Sequence, residues 1–199
     1  AVEIVSIVLE QAIGTSDFEI WGFQLENLPY ATSYIPTDGS SVTRNQDLCM
    51  GGGSLASLSS TEGVFYVEMA RNNLGAEKLS ISLSDGGSFN RVMLIYQSAN
   101  PQDIVCQVRV DGIKQFSEFY TLGPSTDFNK IAISYKENNF SFWVNGIKVA
   151  SSTNGDVPIG LNTLSFNPGG NNNQFFGKTK CVAVWQELLT DSQLQNLTQ

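Results

Sequence analysis

Apolar and polar residues alternate with a period of two along most of the chain. Val64, Tyr66 and Glu68 interleave with Phe65, Val67 and Met69, and Leu79, Ile81 and Leu83 with Ser80, Ser82 and Ser84. Ile104, Cys106, Val108 and Val110 interleave with Val105, Gln107 and Arg109. The rhythm continues through Ile131, Ile133 and Tyr135, and again through Phe140, Phe142 and Val144. Successive side chains of an extended strand point to opposite faces, so each run predicts a strand with one apolar and one polar face. Turn signals separate the runs: Asp85-Gly86-Gly87, Asp111-Gly112, Asn145-Gly146 and Asn154-Gly155. Asn145-Gly146 predicts a two-residue hairpin between Phe140–Val144 and Ile147–Ala150, since both residues tolerate positive φ. Many short strands at this spacing predict an all-β fold, an antiparallel two-sheet sandwich.

One short C-terminal helix is expected. Thr190-Asp-Ser-Gln193 fits a capping box, and Leu194 and Leu197 supply an apolar edge for docking on the sandwich. A seam falls near Ile35-Pro36-Thr37-Asp38-Gly39. It divides residues 1–37, with strands over Ala1–Ile13 and Phe18–Glu26, from a main domain over 38–199. The N-terminal part ends a preceding module or completes this one. Asn167-Pro-Gly-Gly-Asn-Asn-Asn-Gln174 predicts a loop.

Composition narrows the chemistry. The 199 residues include no histidine, which removes Ser-His-Asp and Cys-His catalysis and imidazole metal sites. With 19 acidic and 11 basic groups the net charge is −8, which argues against a nucleic-acid partner. Cys49, Cys106 and Cys181 cannot all pair within one chain; free thiols are expected, with Cys106 and Cys181 as small buried hydrophobes. The opening Ala1–Glu10 lacks a basic n-region and is too short and charged to span a bilayer, so no signal peptide and no membrane insertion are expected.

Two stretches resemble known proteins. Trp21-Gly-Phe-Gln-Leu-Glu-Asn-Leu-Pro-Tyr-Ala-Thr-Ser-Tyr-Ile-Pro-Thr37, with Val42-Thr-Arg44 and Asp47, resembles a junction in bacteriophage tail and minor structural proteins, where a laminin-G-like sandwich begins. Phe140-Ser-Phe-Trp-Val-Asn-Gly-Ile-Lys-Val149, Phe176-Gly-Lys178, Val182-Ala-Val-Trp185 and Leu189-Thr-Asp-Ser-Gln-Leu194 are similar to the closing strands and C-terminal clip of laminin-G-like domains. The resemblance implies a concanavalin A-like, laminin-G-like jelly roll on a virion or extracellular surface, made in a bacterial cytoplasm. It also implies glycan or receptor binding. Enzymes, binders and structural modules all share such folds, so the fold does not settle the function.

Catalytic signatures of related architectures are missing. Retaining glucanases of this architecture carry Glu-x-Asp-x-x-Glu on one strand, and no such motif occurs. Asp17-Phe-Glu19 with Glu26 has the wrong spacing. Glu62 and Glu68 share a face but stand roughly 20 Å apart by strand rise. A lyase site of the usual kind needs a histidine. Calcium, which laminin-G-like domains often carry, has candidates in Asp85, Asp103, Asp111, Asp127 and Asp156, all expected in turns. Turn formation is their default explanation and no spaced cluster appears, so no cofactor is assigned.

Sugar recognition needs an aromatic platform and planar hydrogen-bonding groups. If Phe140, Phe142, Ile133, Val108 and Leu94 face the core, Trp143 points outward and is expected to share a face with Gln107, Arg109, Ser134 and Lys136. That set is the candidate glycan site. The other reading of Trp143 is a ring covered by a loop, by the N-terminal strand or by a neighbouring subunit. Trp185 and Trp21 are expected to be packing residues. Asn171, Asn172, Asn173 and Gln174 form either a rim of amides or a solvated turn. The leading reading is a non-catalytic module that binds a cell-surface glycan. Its rivals are a structural virion module, in which Ala1–Ile13 pairs with other virion subunits or builds a homo-oligomer, and a polysaccharide-degrading enzyme.

Overall fold

The computed structural model describes residues 24, 34–36, 38–42, 52–54, 56–72, 79–97, 103–170 and 174–199. The strands expected over Ala1–Ile13 and, Gln24 apart, Phe18–Glu26, the carboxylates Asp17, Glu19 and Glu26, and Trp21, Cys49 and Asn171–Asn173 lie outside the described residues. The chain divides into two compact units, Ala1–Asn45 and Gln46–Gln199. All described strands and the helix belong to the second.

That unit is built from β1 (Glu62–Arg71), β2 (Leu79–Ser84), β3 (Arg91–Tyr96), β4 (Asp103–Val110), β5 (Ile113–Thr121), β6 (Asn129–Lys136), β7 (Asn139–Val144), β8 (Ile147–Ser152), β9 (Thr163–Ser165), β10 (Gly177–Trp185) and α1 (Asp191–Thr198). They form two antiparallel five-stranded sheets, β10-β1-β6-β7-β8 and β5-β4-β3-β2-β9. These are called the β7 sheet and the β4 sheet below. The expected sandwich is thus present, with its one short C-terminal helix. Asn145 and Gly146 take φ of 47° and 79°, the left-handed pair that a tight hairpin requires.

The core lies between the sheets. Phe65, Val67, Ile131, Ile133, Phe140 and Phe142 from one meet Ile81, Leu83, Val92, Leu94, Cys106 and Val108 from the other. Two buried phenols are satisfied: Tyr96 donates to the Met69 carbonyl at 3.0 Å and Tyr135 to the Ser59 carbonyl at 2.8 Å. Burial pushes the Tyr96 phenol up to about 12 and raises that of Tyr135 as well. Cys106 is buried as expected, whereas Cys181 is exposed. Cys181 pairs with Glu68, which points away from the core on β1, so it follows the outward alternation of the neighbouring strand.

α1 is docked on the outer face of the β7 sheet. The Thr190 hydroxyl accepts from the Gln193 amide at 3.3 Å, and the Gln193 side-chain oxygen accepts from the Thr190 amide at 2.8 Å. Leu194, 1% exposed, closes over Val64, Tyr66, Ala132 and Trp143. The Thr198 hydroxyl accepts from the Gly146 amide and donates to the Leu194 carbonyl, pinning the helix to the β7–β8 hairpin.

Candidate functional site

The sandwich divides the expected site residues between its two outer surfaces. Trp143, Ser134 and Lys136 lie on the β7 sheet; Gln107 and Arg109 lie on β4, in the opposite sheet. The single shared face expected from alternation therefore does not exist. Alternation decides whether a side chain points inward or outward, and both groups do point outward. It carries nothing about which sheet a strand joins.

On the β7 sheet the expected platform is closed. Trp143 is 4% exposed, covered by α1, with its indole N–H donated to the Ser141 hydroxyl at 2.9 Å. Its cover is the predicted C-terminal clip. Trp185, half-buried, packs against the same cluster. Ser134 is buried and its hydroxyl lies 2.6 Å from that of Ser141. Lys136 pairs with Glu62 at 2.7 Å, and Lys180 with Glu68 at 3.2 Å, so each of those carboxylates has a cationic partner.

On the β4 sheet the outward residues form ordered rows. Register places Arg91 opposite Arg109, Met93 opposite Gln107 and Gln107 opposite Ser117. Arg91 Nη2 and Arg109 Nε both donate to the Gln107 side-chain oxygen, at 3.2 and 2.7 Å. Two guanidiniums therefore converge on one neutral acceptor. Neither makes an ion pair among the described residues. Like charges directly opposite across a sheet repel. Burial, then the neighbouring Arg109 charge, lowers the Arg91 guanidinium to about 10, so it remains cationic at neutral pH. One row further along, Phe119 stands opposite Val105 on the same face and is 62% exposed. Two residues of strand separate it from the Gln107 row, roughly 7 Å.

The loop after β9 completes this surface. The Ser82 hydroxyl donates to the Asn167 carbonyl at 2.7 Å, and Arg91 Nη1 donates to the Pro168 carbonyl. Gly169 takes φ of 83°, and a Cβ there would stand 2.1 Å from the Gly87 carbonyl oxygen, so only glycine lets the loop lie this close. Its described start is thus built onto the sheet, whereas Asn171–Asn173, to which the choice between amide rim and solvated turn applies, lie outside the described residues. Among the described residues, Arg91 Nε and Asn167 Nδ2 are buried without a hydrogen-bond partner.

Most of the calcium candidates have other tasks. The Asn90 amide bridges the Asp85 and Asp111 carboxylates at 3.1 and 3.3 Å, tying two turns together. Asp127 accepts from Ser125, and Asp103 begins β4 rather than sitting in a turn and accepts from Thr121 at 2.6 Å. Among the described residues no group of three metal-ligating side chains gathers.

Sequence reasoning missed Arg91 and Phe119. Arg91 opens an otherwise apolar run, Arg91–Tyr96, and reads there as a strand terminus. The signal that could have found it is the like-charged pair that antiparallel registration of β3 on β4 creates.

No family model matches the sequence, and no curated protein does. Solved structures match the fold. The CBM40, a carbohydrate-binding module, of the Ruminococcus gnavus IT-sialidase aligns with a TM-score of 0.57 and 16% identity over 76% of this chain and 94% of that one. The NanB sialidase of Streptococcus pneumoniae aligns with a TM-score of 0.56 and 16% identity, over 71% of this chain and 25% of its own. A leech intramolecular trans-sialidase gives 0.52 and 17%, over 77% and 26%. At these identities the likeness is one of fold: this chain shares its β-sandwich with carbohydrate-binding modules and with sialidase chains about four times the aligned length.

Proposed function

We propose that this chain is a non-catalytic carbohydrate-binding module whose ligand carries a carboxylate, gripped on the outer face of the β4 sheet. The observation that carries the reading is the Arg91–Arg109 pair, two cations held side by side with only an amide between them in a protein of net charge −8. A ligand carboxylate supplies the missing counter-charge, and a planar guanidinium can hold it with paired hydrogen bonds. Phe119 offers an exposed ring for a pyranose face, and the half-buried Ser117 hydroxyl offers a polar contact, while the buried Gln107 holds the two guanidiniums in place. The similar CBM40 binds α2,3- and α2,6-sialyllactose, sugars that bear such a carboxylate.

The non-catalytic reading draws on the ion pairs that occupy Glu62 and Glu68. The setting we propose, a phage tail or related surface protein facing a cell-surface glycan, draws on the resemblance of the Trp21–Thr37 junction.

Titration calorimetry with α2,3-sialyllactose against lactose tests the reading. Sialyllactose should bind, lactose should not bind at this surface, and added NaCl should weaken the complex. Arg109→Met should lower affinity about tenfold or more, the loss of one charge-assisted contact. Equal binding of the two sugars, or binding that survives Arg109→Met, would show the reading wrong.

A further inference from the structure

The opposite outer surface carries a separate cleft of about 260 Å³ between the β7–β8 hairpin and the start of α1. We propose that this cleft is a second binding site, for one neutral sugar ring. It rests on its own geometry and not on the guanidinium pair.

Hydrogen-bond arithmetic gives the cleft a donor with nowhere else to go. Ser134 and Ser141 both line it, both are 5% exposed, and their hydroxyl oxygens lie 2.6 Å apart. The Ser141 oxygen also accepts the Trp143 indole N–H. Two hydroxyl protons are present and one of them spans the pair. The other has no acceptor among the described residues, whichever serine owns it. A buried donor left unpaired is costly, so the pair favours a ligand that brings an acceptor.

The remaining lining defines that ligand. Ser151 stands opposite Ser141 on β8 and adds a third hydroxyl. Leu188 and Leu189 form a half-buried apolar wall. Hydroxyls on one side and aliphatic groups on the other match a pyranose, with its hydroxylated edge and apolar face. The charges at the cleft cancel, since Lys148 pairs with Asp191 at 3.0 Å, so a neutral ligand suits it better than an acidic one. The volume is below the range typical of drug-sized ligands, which limits the occupant to about one ring.

The test is a ¹⁵N–¹H titration with the methyl pyranosides of glucose, galactose, mannose and N-acetylglucosamine. At least one should shift the Trp143 indole N–H and the Ser134, Ser141 and Lys148 amides. Ser151→Trp, at an exposed position, fills the cleft and should abolish those shifts. Asn139→Ala, a mild change at the rim, should weaken them several-fold, and serves if the bulky variant does not fold. Arg109→Met should leave them unchanged while removing sialyllactose binding, so failure at either surface is read separately. Absence of shifts with all four glycosides, or shifts that persist in a folded Ser151→Trp protein, overturns the proposal.

Discussion

Replacing Gln107 by Glu should stabilise the fold and weaken binding of an acidic sugar. The Gln107 side-chain oxygen accepts from Arg91 at 3.2 Å and from Arg109 at 2.7 Å, so a carboxylate there acquires two cationic donors without rebuilding the site. At an effective dielectric near 20, each charge pair at such a separation is worth about 4–5 kcal/mol. Desolvating the carboxylate costs several kcal/mol, and the amide bonds it replaces already count for something. The net gain should be about 1–3 kcal/mol, or about 3–8 °C in Tm for a domain of this size. Gln107→Leu should do the reverse, leaving the buried Arg91 donor unpaired and the part-buried Arg109 donor to solvent, at a cost of about 1–3 kcal/mol. Thermal and urea denaturation of the three proteins gives the ordering directly. The internal carboxylate should also displace a ligand carboxylate, lowering sialyllactose affinity about tenfold or more by calorimetry. A Glu variant no more stable than wild type would mean that the two guanidiniums are not short of counter-charge, and the acidic-ligand argument would fall with it.

Three further outcomes follow from the packing. Trp143→Ala should cost about 3–5 kcal/mol in denaturant unfolding, yet leave sialyllactose binding intact where the protein is folded, because the ring is cover-packed by α1. Gly169→Ala should lose about 1–3 kcal/mol and weaken the Arg91 anchor, since the added Cβ meets the Gly87 carbonyl at a positive φ; sialyllactose affinity should fall with it. Stability should fall with rising pH from about 9, because burial holds the Cys106 thiol protonated in the folded chain above its ordinary value of 9.0. Tyr96, held up to about 12, and Tyr135, also raised, stay protonated in the folded chain while the unfolded chain loses those protons above about pH 10, giving a slope of about −1.4 kcal/mol per pH unit for each; Arg91, lowered to about 10, opposes them above that pH with a slope of equal size and opposite sign. Tyrosinate absorbance followed together with circular dichroism would show both phenols ionising only as the fold is lost.

What was legible in the sequence was local. Alternation through Ile104–Val110 and Phe140–Val144 marked inward and outward positions correctly, because the side-chain period of a strand is a property of the backbone alone. Asn145-Gly146 marked its turn and Thr190–Gln193 its cap for the same reason: each signal completes itself within four residues. The candidate site failed where the information is long-range. Gln107 and Trp143 are both outward, but the chain crosses between sheets from β5 to β6, so outward means opposite directions for the two. Phe119 was invisible as a platform because its value depends on standing opposite Val105, fourteen positions away in the sequence. The covering of Trp143 was half legible. The helix was expected, as was its docking by Leu194 and Leu197, and only the face it chose was missing.

That choice of face has a functional consequence. A two-sheet sandwich offers two outer surfaces, and α1 occupies part of one, turning Trp143 from a surface ring into packing and leaving only a small cleft beside it. The β4 sheet keeps an exposed ring at Phe119 and a partly exposed cation at Arg109. It keeps them at a cost, since Arg91 and Arg109 repel across the strand pair and Arg91 Nε is buried without a partner among the described residues. Natural folds break such local rules mainly where a site requires it. A glutamate at position 107 would halve the pair's net charge at no cost in volume, yet the chain carries a glutamine. The acidic surroundings make the point stronger, because a protein with eight excess negative charges has many carboxylates and places none of those described against these two cations. An arrangement that is unfavourable alone and favourable with an anion bound is what a receptor for acidic sugars requires.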